Sequence, residues 1–189
     1  MDEQQAFLET LKAEREIAKV IRLAARASDR KDLSAQRACY HDDAIDNHGM
    51  FNGPVDDFFA WLQPHHENYD MFLHFMGTPS IEVEGTRAFS ETYCLAVTQL
   101  KVHTLYTLTA APMTMIGCRF LDEFEQRDGA WKILKRTVVF EWSKTDYAAP
   151  AKVPPTPGGP MVPPFRSPED FVYKLGDGIL MKPPAAARA

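Results

Sequence analysis

Apolar residues recur at helical spacing along the first third of the chain and at the two-residue spacing of strands along most of the remainder. Phe7, Leu11, Ile17, Val20, Ile21, Ala24 and Ala25 fall on one face of a helix from about Gln5 to Ala27, with Leu8 and Leu23 widening the stripe it should bury. Ser28-Asp29-Arg30-Lys31-Asp32 breaks the pattern, and Asp32 is placed to cap a second, short helix running to Cys39. Asp43 to His48 reads as a first strand and Phe51-Asn52-Gly53-Pro54 as a turn. Pro54 then suits the start of a third helix, carrying Phe58, Phe59, Trp61 and Leu62 and ending near His66. Beyond it, Phe72–Met76 and Ser80–Glu84 alternate apolar with polar, and Gly85-Thr86 makes a turn. Arg87–Gln99, Met113–Gln126 and Trp131–Trp142 are long β runs, the last two joined by an Asp128-Gly129 hairpin turn.

Three helices followed by a meander of long strands predict an α+β domain, with the helices on one face of a curved antiparallel sheet. A curved sheet closed by helices leaves a hollow suited to a small ligand. After Tyr147 the composition changes: residues 148–168 hold most of the 14 prolines together with Gly158-Gly159. The expected division is a domain over 1–147 and a proline-rich C-terminal extension over 148–189, irregular and without a core of its own. Phe165, Phe171, Tyr173, Leu175, Ile179 and Leu180 should dock it on the domain or on a neighbouring subunit.

Composition narrows the function. With 45% hydrophobic residues among 189, the chain can bury a sizeable core, and its 12 Phe, 6 Tyr and 3 Trp exceed what packing one small core requires. A net charge of −5 without a clustered Lys/Arg stripe argues against binding to nucleic acid or an anionic membrane. The N-terminus lacks the layout of a secretory signal, and no apolar run is long enough to span a bilayer, so a cytoplasmic location is expected. Cys39, Cys94 and Cys118 are odd in number and lack metal-ligand spacing. The six histidines are scattered, and His65 and His66 should point in different directions on their helix, so no metal is expected.

Three residues carry candidate chemistry. Asp29 ends the first helix, where an aspartate is more often a cap than a catalyst. His74 lies within the apolar strand Met71-Phe72-Leu73-His74-Phe75-Met76, where a histidine is more often a core residue with one satisfied nitrogen. Arg136 alternates with Leu134, Val138, Phe140 and Trp142 on a face expected to look into the hollow. An inward guanidinium needs either an acidic partner or an anionic ligand, and the two readings weigh equally. Asp46 and His48 share one face of the first strand and could line the hollow, or form a surface pair. Glu141 and Arg119 fall on the opposite face, as structural residues.

Ser28-Asp29-Arg30-Lys31-Asp32-Leu33, Tyr40-His41-Asp42-Asp43-Ala44, Asn47-His48-Gly49, Leu73-His74-Phe75-Met76-Gly77-Thr78 and Gly129-Ala130-Trp131-Lys132 form, in that order, a set that resembles the SnoaL-like branch of the nuclear-transport-factor-2-like (NTF2-like) superfamily, over about Ile17 to Tyr147. The resemblance implies an NTF2-like cone and cofactor-free proton chemistry of the kind found in dehydrochlorinases, scytalone dehydratases, polyketide cyclases and diarylpropane lyases. The pattern is similar to that of hexachlorocyclohexane dehydrochlorinase: Asp29 and His74 fall on its basic dyad and Arg136 on its arginine, while Ala24 stands where that enzyme has a lysine. The function so implied is a cofactor-independent lyase, using the dyad for elimination, dehydration or retro-aldol cleavage of a hydrophobic aromatic compound, one version being a lignin-derived diarylpropane. An isomerase or cyclase with the same base, and a non-catalytic binding module, are the alternatives. Phe58, Phe59, Trp61, Tyr69, Phe72, Phe140 and Trp142 are the expected substrate contacts beside Asp46 and His48, with Tyr69 also able to stabilise negative charge. A homodimer or homotrimer is further implied.

Overall fold

A computed structural model of the chain describes residues 2–101 and 112–147, so the extension proposed for 148–189 lies outside the described residues. The helices are α1 (Glu3–Asp29), α2 (Leu33–Arg37) and α3 (Val55–Glu67). The strands are β1 (Tyr40–Asn47), β2 (Asn52–Pro54), β3 (Tyr69–Met76), β4 (Ser80–Glu84), β5 (Arg87–Leu100), β6 (Met113–Arg127) and β7 (Ala130–Asp146). They make one curved, unclosed seven-stranded sheet in the order β2-β1-β7-β6-β5-β3, with β4 beside β3 on the same edge of β5. Every pairing is antiparallel except that of β1 with β7, which is parallel. This is an NTF2-like α+β cone. The segment read as a turn at 51–54 includes a short strand, because β2 folds back on β1 with Asn47 opposite Asn52.

The C-terminal half of α1 crosses the concave face. Ile17, Ile21 and Ala24 pack there with Tyr40, Val55, Phe124 and Ile133 in the main core. Phe7, Leu8, Leu11 and Leu23, expected on the buried stripe, are exposed. At 27 residues and ~1.5 Å per residue the helix is ~40 Å long, and among the described residues its first turns, up to Lys12, are exposed. Asp2 caps its start through a bond from the Gln4 amide, and Arg30 ends it. Lys31 then adopts a left-handed φ of 55°, and its Nζ donates to the Tyr69 carbonyl at 2.5 Å, tying the helix exit to the start of β3.

The β6–β7 hairpin turns on Asp128 and Gly129, both at positive φ, the geometry a two-residue turn requires. Counting out from that turn, plain alternation would place Lys135 opposite Asp122. The ladder instead skips Leu134, so Arg136 takes that place, and it skips again at Glu141. Two bulges thus reverse the alternation twice. Arg136, Val138 and Phe140 face the concave side as expected, but Leu134 and Trp142 do not share their face. Trp142 lies over Gly117 on the convex side, where its indole occupies the space that a side chain at residue 117 would need. Arg119 joins Glu91 and Glu141 there at 2.6 Å each, a surface ion-pair cluster as anticipated.

Candidate active site

Beside the main core, the concave face holds a partly open cavity of about 180 Å³. Its far wall is the sheet, with Ala96, Cys118, Phe120 and Val138; its near wall is α1 and the aromatic face of α3. An apolar cavity of ~150 Å³ takes up benzene, so this one holds a single ring with substituents.

Two observations fix Asp29 against His74. The helix ends on Asp29, and the left-handed turn at Lys31 keeps that end beside β3. Among the described residues, no strand pairs with β3 on the side away from β5. The Asp29 carboxylate binds β3, accepting the His74 amide on Oδ2 at 3.2 Å and the imidazole Nδ1 on Oδ1 at 2.6 Å. An ionised carboxylate only accepts, so Nδ1 carries a proton, and the His74 ring lines the cavity. Both side chains are largely buried. Asp29 thus ties the end of α1 to β3.

A second pair stands across the cavity. Asp46, wholly buried, accepts the Tyr40 hydroxyl on Oδ2 and the His48 Nδ1 on Oδ1, each at 2.9 Å. The surface-pair reading of these two residues is thereby excluded. The His48 ring stacks on Phe58 at 5.0 Å, and Phe51 and Trp61 extend the aromatic wall. Burial holds the Tyr40 phenol well above its ordinary pKa, so it remains a donor.

Arg136 has the acidic partner that one reading required. Its Nε and Nη2 meet the two oxygens of Asp122 at 2.7 Å each, with both residues buried. Burial is the largest single influence and opposes the guanidinium charge, but the charge and hydrogen bonds of Asp122, together with Tyr40 and Asp46, outweigh it, and the arginine stays protonated. Its carbon sits 4.6 Å from the centre of the Phe120 ring, and the residue still reaches the cavity.

Of the other expected contacts, Phe58, Trp61, Tyr69, Phe72 and Phe140 line the cavity. Phe59 does not: it turns onto Tyr40 in the main core, edge-to-face at 5.9 Å. Trp142 does not either, because the Glu141 bulge carries it to the convex face. Ala24 lines the cavity with only a methyl group. His65 and His66 both border it, despite their different directions on α3, because the cavity wraps the end of that helix.

His66 was not anticipated. It is 4% exposed, lies 4.7 Å from the Phe72 ring, and its Nδ1 has no hydrogen-bond partner. Burial, then the nearby positive charge of Lys31, lowers its pKa to about 4. The unfolded imidazole takes its proton near pH 6.5, so between these values the unfolded state binds more protons. This contribution to stability is complete above pH 6.5 and falls as the pH drops to 4, by about 3 kcal/mol for a shift of this size. His66→Phe should remove that part of the pH dependence in paired denaturant titrations; identical slopes for the two proteins would exclude it.

Among the described residues, no group of three or more His, Cys, Asp and Glu side chains is arranged to hold a metal, and no helix is long and apolar enough to cross a membrane. Cys39, Cys94 and Cys118 are free and buried, Cys94 facing Cys118 across β5 and β6.

Comparison with solved structures returns the same architecture. A LinA-type hexachlorocyclohexane dehydrochlorinase of type 2 superposes with a TM-score of 0.66 at 18% identity, covering 78% of this chain and 97% of its own. The type 3 enzyme of Novosphingobium barchaimii gives 0.63 at 20% identity, covering 78% and 99%. A scytalone dehydratase-like protein of Novosphingobium aromaticivorans gives 0.64 at 18% identity, covering 77% and 94%. At these identities the likeness is one of fold. No curated protein matches the sequence. The SnoaL-like domain family matches residues 9–137, from α1 into the middle of β7, and the chain belongs to that family.

Proposed function

We propose that the chain is a cofactor-independent lyase that removes a proton from a small hydrophobic aromatic compound and expels a group from the neighbouring carbon. The observation that carries this reading is the 2.6 Å bond between Asp29 and His74, with the His74 ring lining an aromatic cavity. Asp29 fixes the tautomer and raises the basicity of His74, which takes the proton from carbon or oxygen. The fixed charge of Arg136, or the Tyr69 hydroxyl, stabilises negative charge as it develops. Aromatic walls exclude water and strengthen both effects. Dehydration, halide elimination and retro-aldol deformylation of a diarylpropane diol all begin with such a base. For the diarylpropane, one ring fills the cavity and the other lies at its open side. An isomerase or cyclase would use the same base without losing a group.

Dehydratases and dehydrochlorinases among proteins of this fold favour an enzyme, while a non-catalytic binding module is the competing class. The test is turnover by the purified chain, with no cofactor added, of aromatic alcohols, diarylpropane diols and halogenated rings. Product from the wild type, lost in His74→Ala, supports the lyase. No product from any of them, with wild type and variant folding and binding alike, moves the assignment to the binding module. Exposed Phe75, Tyr93 and Trp142 on the convex face support self-association as a dimer or trimer; sedimentation as a monomer would count against it.

A further inference from the structure

The lyase reading uses one imidazole, but the cavity contains a second one built in the same way. His48 and His74 each bind a buried aspartate through Nδ1, at 2.9 and 2.6 Å. Their ring centres stand 6.3 and 6.4 Å from that of Phe120, on the wall between them. A substrate resting on Phe120 is therefore within reach of both. The two pairs come from different elements: α1 with β3, and Asp46 of β1 with His48, the residue just past the end of that strand.

We propose that His48, backed by Asp46, is the general acid of this site, and that the substrate class is accordingly a β-hydroxy compound rather than a halide. The proposal rests on the lyase reading above. A halide departs as a stable anion and needs no proton, whereas hydroxide is a poor leaving group unless protonated as its bond breaks. A second proton-transfer group is useful only for the latter.

Charge around Asp46 favours this role. Asp122 already takes the two-pronged bond of Arg136, and Tyr40 gives Asp46 a neutral hydrogen bond. The Asp46 charge is then matched when His48 carries its second proton. The other charged and titratable groups on the cavity walls are Arg136 from β7, whose hydrogen bonds go to Asp122 but whose charge Asp46 also feels, His65 and His66 from α3, His74 from β3, Tyr69 at the start of β3 and Cys118 from β6. None of them hydrogen-bonds to Asp46 in the way His48 does. His48 keeps 27% of its side chain exposed while Asp46 keeps none, so the imidazole can meet a substrate and re-exchange its proton with solvent.

The step balances. His74 Nε2 takes the proton of an acidic C–H, the electron pair of that bond becomes the new C=C bond, and the C–O bond to the β-hydroxyl breaks. The departing oxygen takes the proton of His48 Nε2 and leaves as water. His74 ends protonated and His48 neutral, and exchange with solvent restores both.

The test compares two leaving groups on one skeleton: the aldol adduct of benzaldehyde with acetone, which must lose water, and its p-nitrophenyl ether, which loses a stable phenolate. General acid catalysis is worth ~100-fold or more. His48→Gln is therefore expected to slow loss of water by about that factor, and at least ~10-fold more than it slows loss of nitrophenolate. Asp46→Asn should change the ratio in the same direction. Equal losses on both probes, or none, would overturn the proposal while leaving the lyase reading intact. Failure of the wild type to turn over either probe would count against both. Should His48→Gln not fold, His48→Asn decides by the same ratio.

Discussion

Replacing Asp122 with alanine is expected to lower the melting temperature by roughly 10 °C or more. The Arg136 guanidinium is 4% exposed and donates two 2.7 Å bonds to that carboxylate. Removing the carboxylate leaves a buried cation without its partner, which typically costs about 3–5 kcal/mol. For a chain of this size each kcal/mol moves the transition by roughly 2–4 °C. The double replacement Asp122→Leu with Arg136→Met should recover most of the loss, because removing both charges also removes their desolvation cost. Calorimetry on the single and double variants separates the cases. A single variant as stable as the wild type would mean that water reaches Arg136 and that the pair is not a closed structural unit.

Asp29→Asn should cost catalysis far more than stability. The amide oxygen can still accept the His74 backbone N–H, so β3 stays attached to the end of α1. Its NH₂ group, however, can donate to Nδ1, which places the imidazole proton on Nε2, the nitrogen that must be free to act as base. The expected fall in kcat is roughly 100- to 10,000-fold, with little change in KM. Nitrogen NMR of the His74 ring would report the tautomer directly. Wild-type turnover in the variant, or an unchanged tautomer accompanied by lost activity, would show that Asp29 anchors the strand without directing the proton.

The elements of the cone were legible because each was long enough for its period to show. The helical stripe through Ile17, Ile21 and Ala24 and the Asp128-Gly129 turn are where their spacing placed them. How far a helix extends past its sheet is not written in its period, so Phe7, Leu8 and Leu11 were expected to be buried and are not. The approach of Asp29 to His74, 45 residues apart, could be drawn only from the family resemblance, since nothing local at either residue signals the other. Asp122 as partner of Arg136 escaped an alternation count because that count from the turn pairs it with Lys135 instead. For the same reason Trp142 was assigned to the wrong face. Phe59 was misplaced because α3 is aromatic on more than one side, and its period cannot say which ring meets the core. His66 had a weak available signal: an α3 face already carrying Phe58 and Leu62 continues through the last turn of the helix.

The bulges of β7 also govern where this chain can change length in evolution. Leu134 and Glu141 each lack a counterpart on β6. Deleting either would straighten the ladder and leave every other side chain on its present face. Deleting Thr137, between them, would turn part of the strand over or force a new bulge. Distant relatives can therefore differ by one residue at these two points and still keep Arg136, Val138 and Phe140 on the cavity side. An alignment that confines gaps to loops would pair the wrong residues through this stretch. The equivalent arginine is better sought by the carboxylate across the ladder than by its distance from the hairpin.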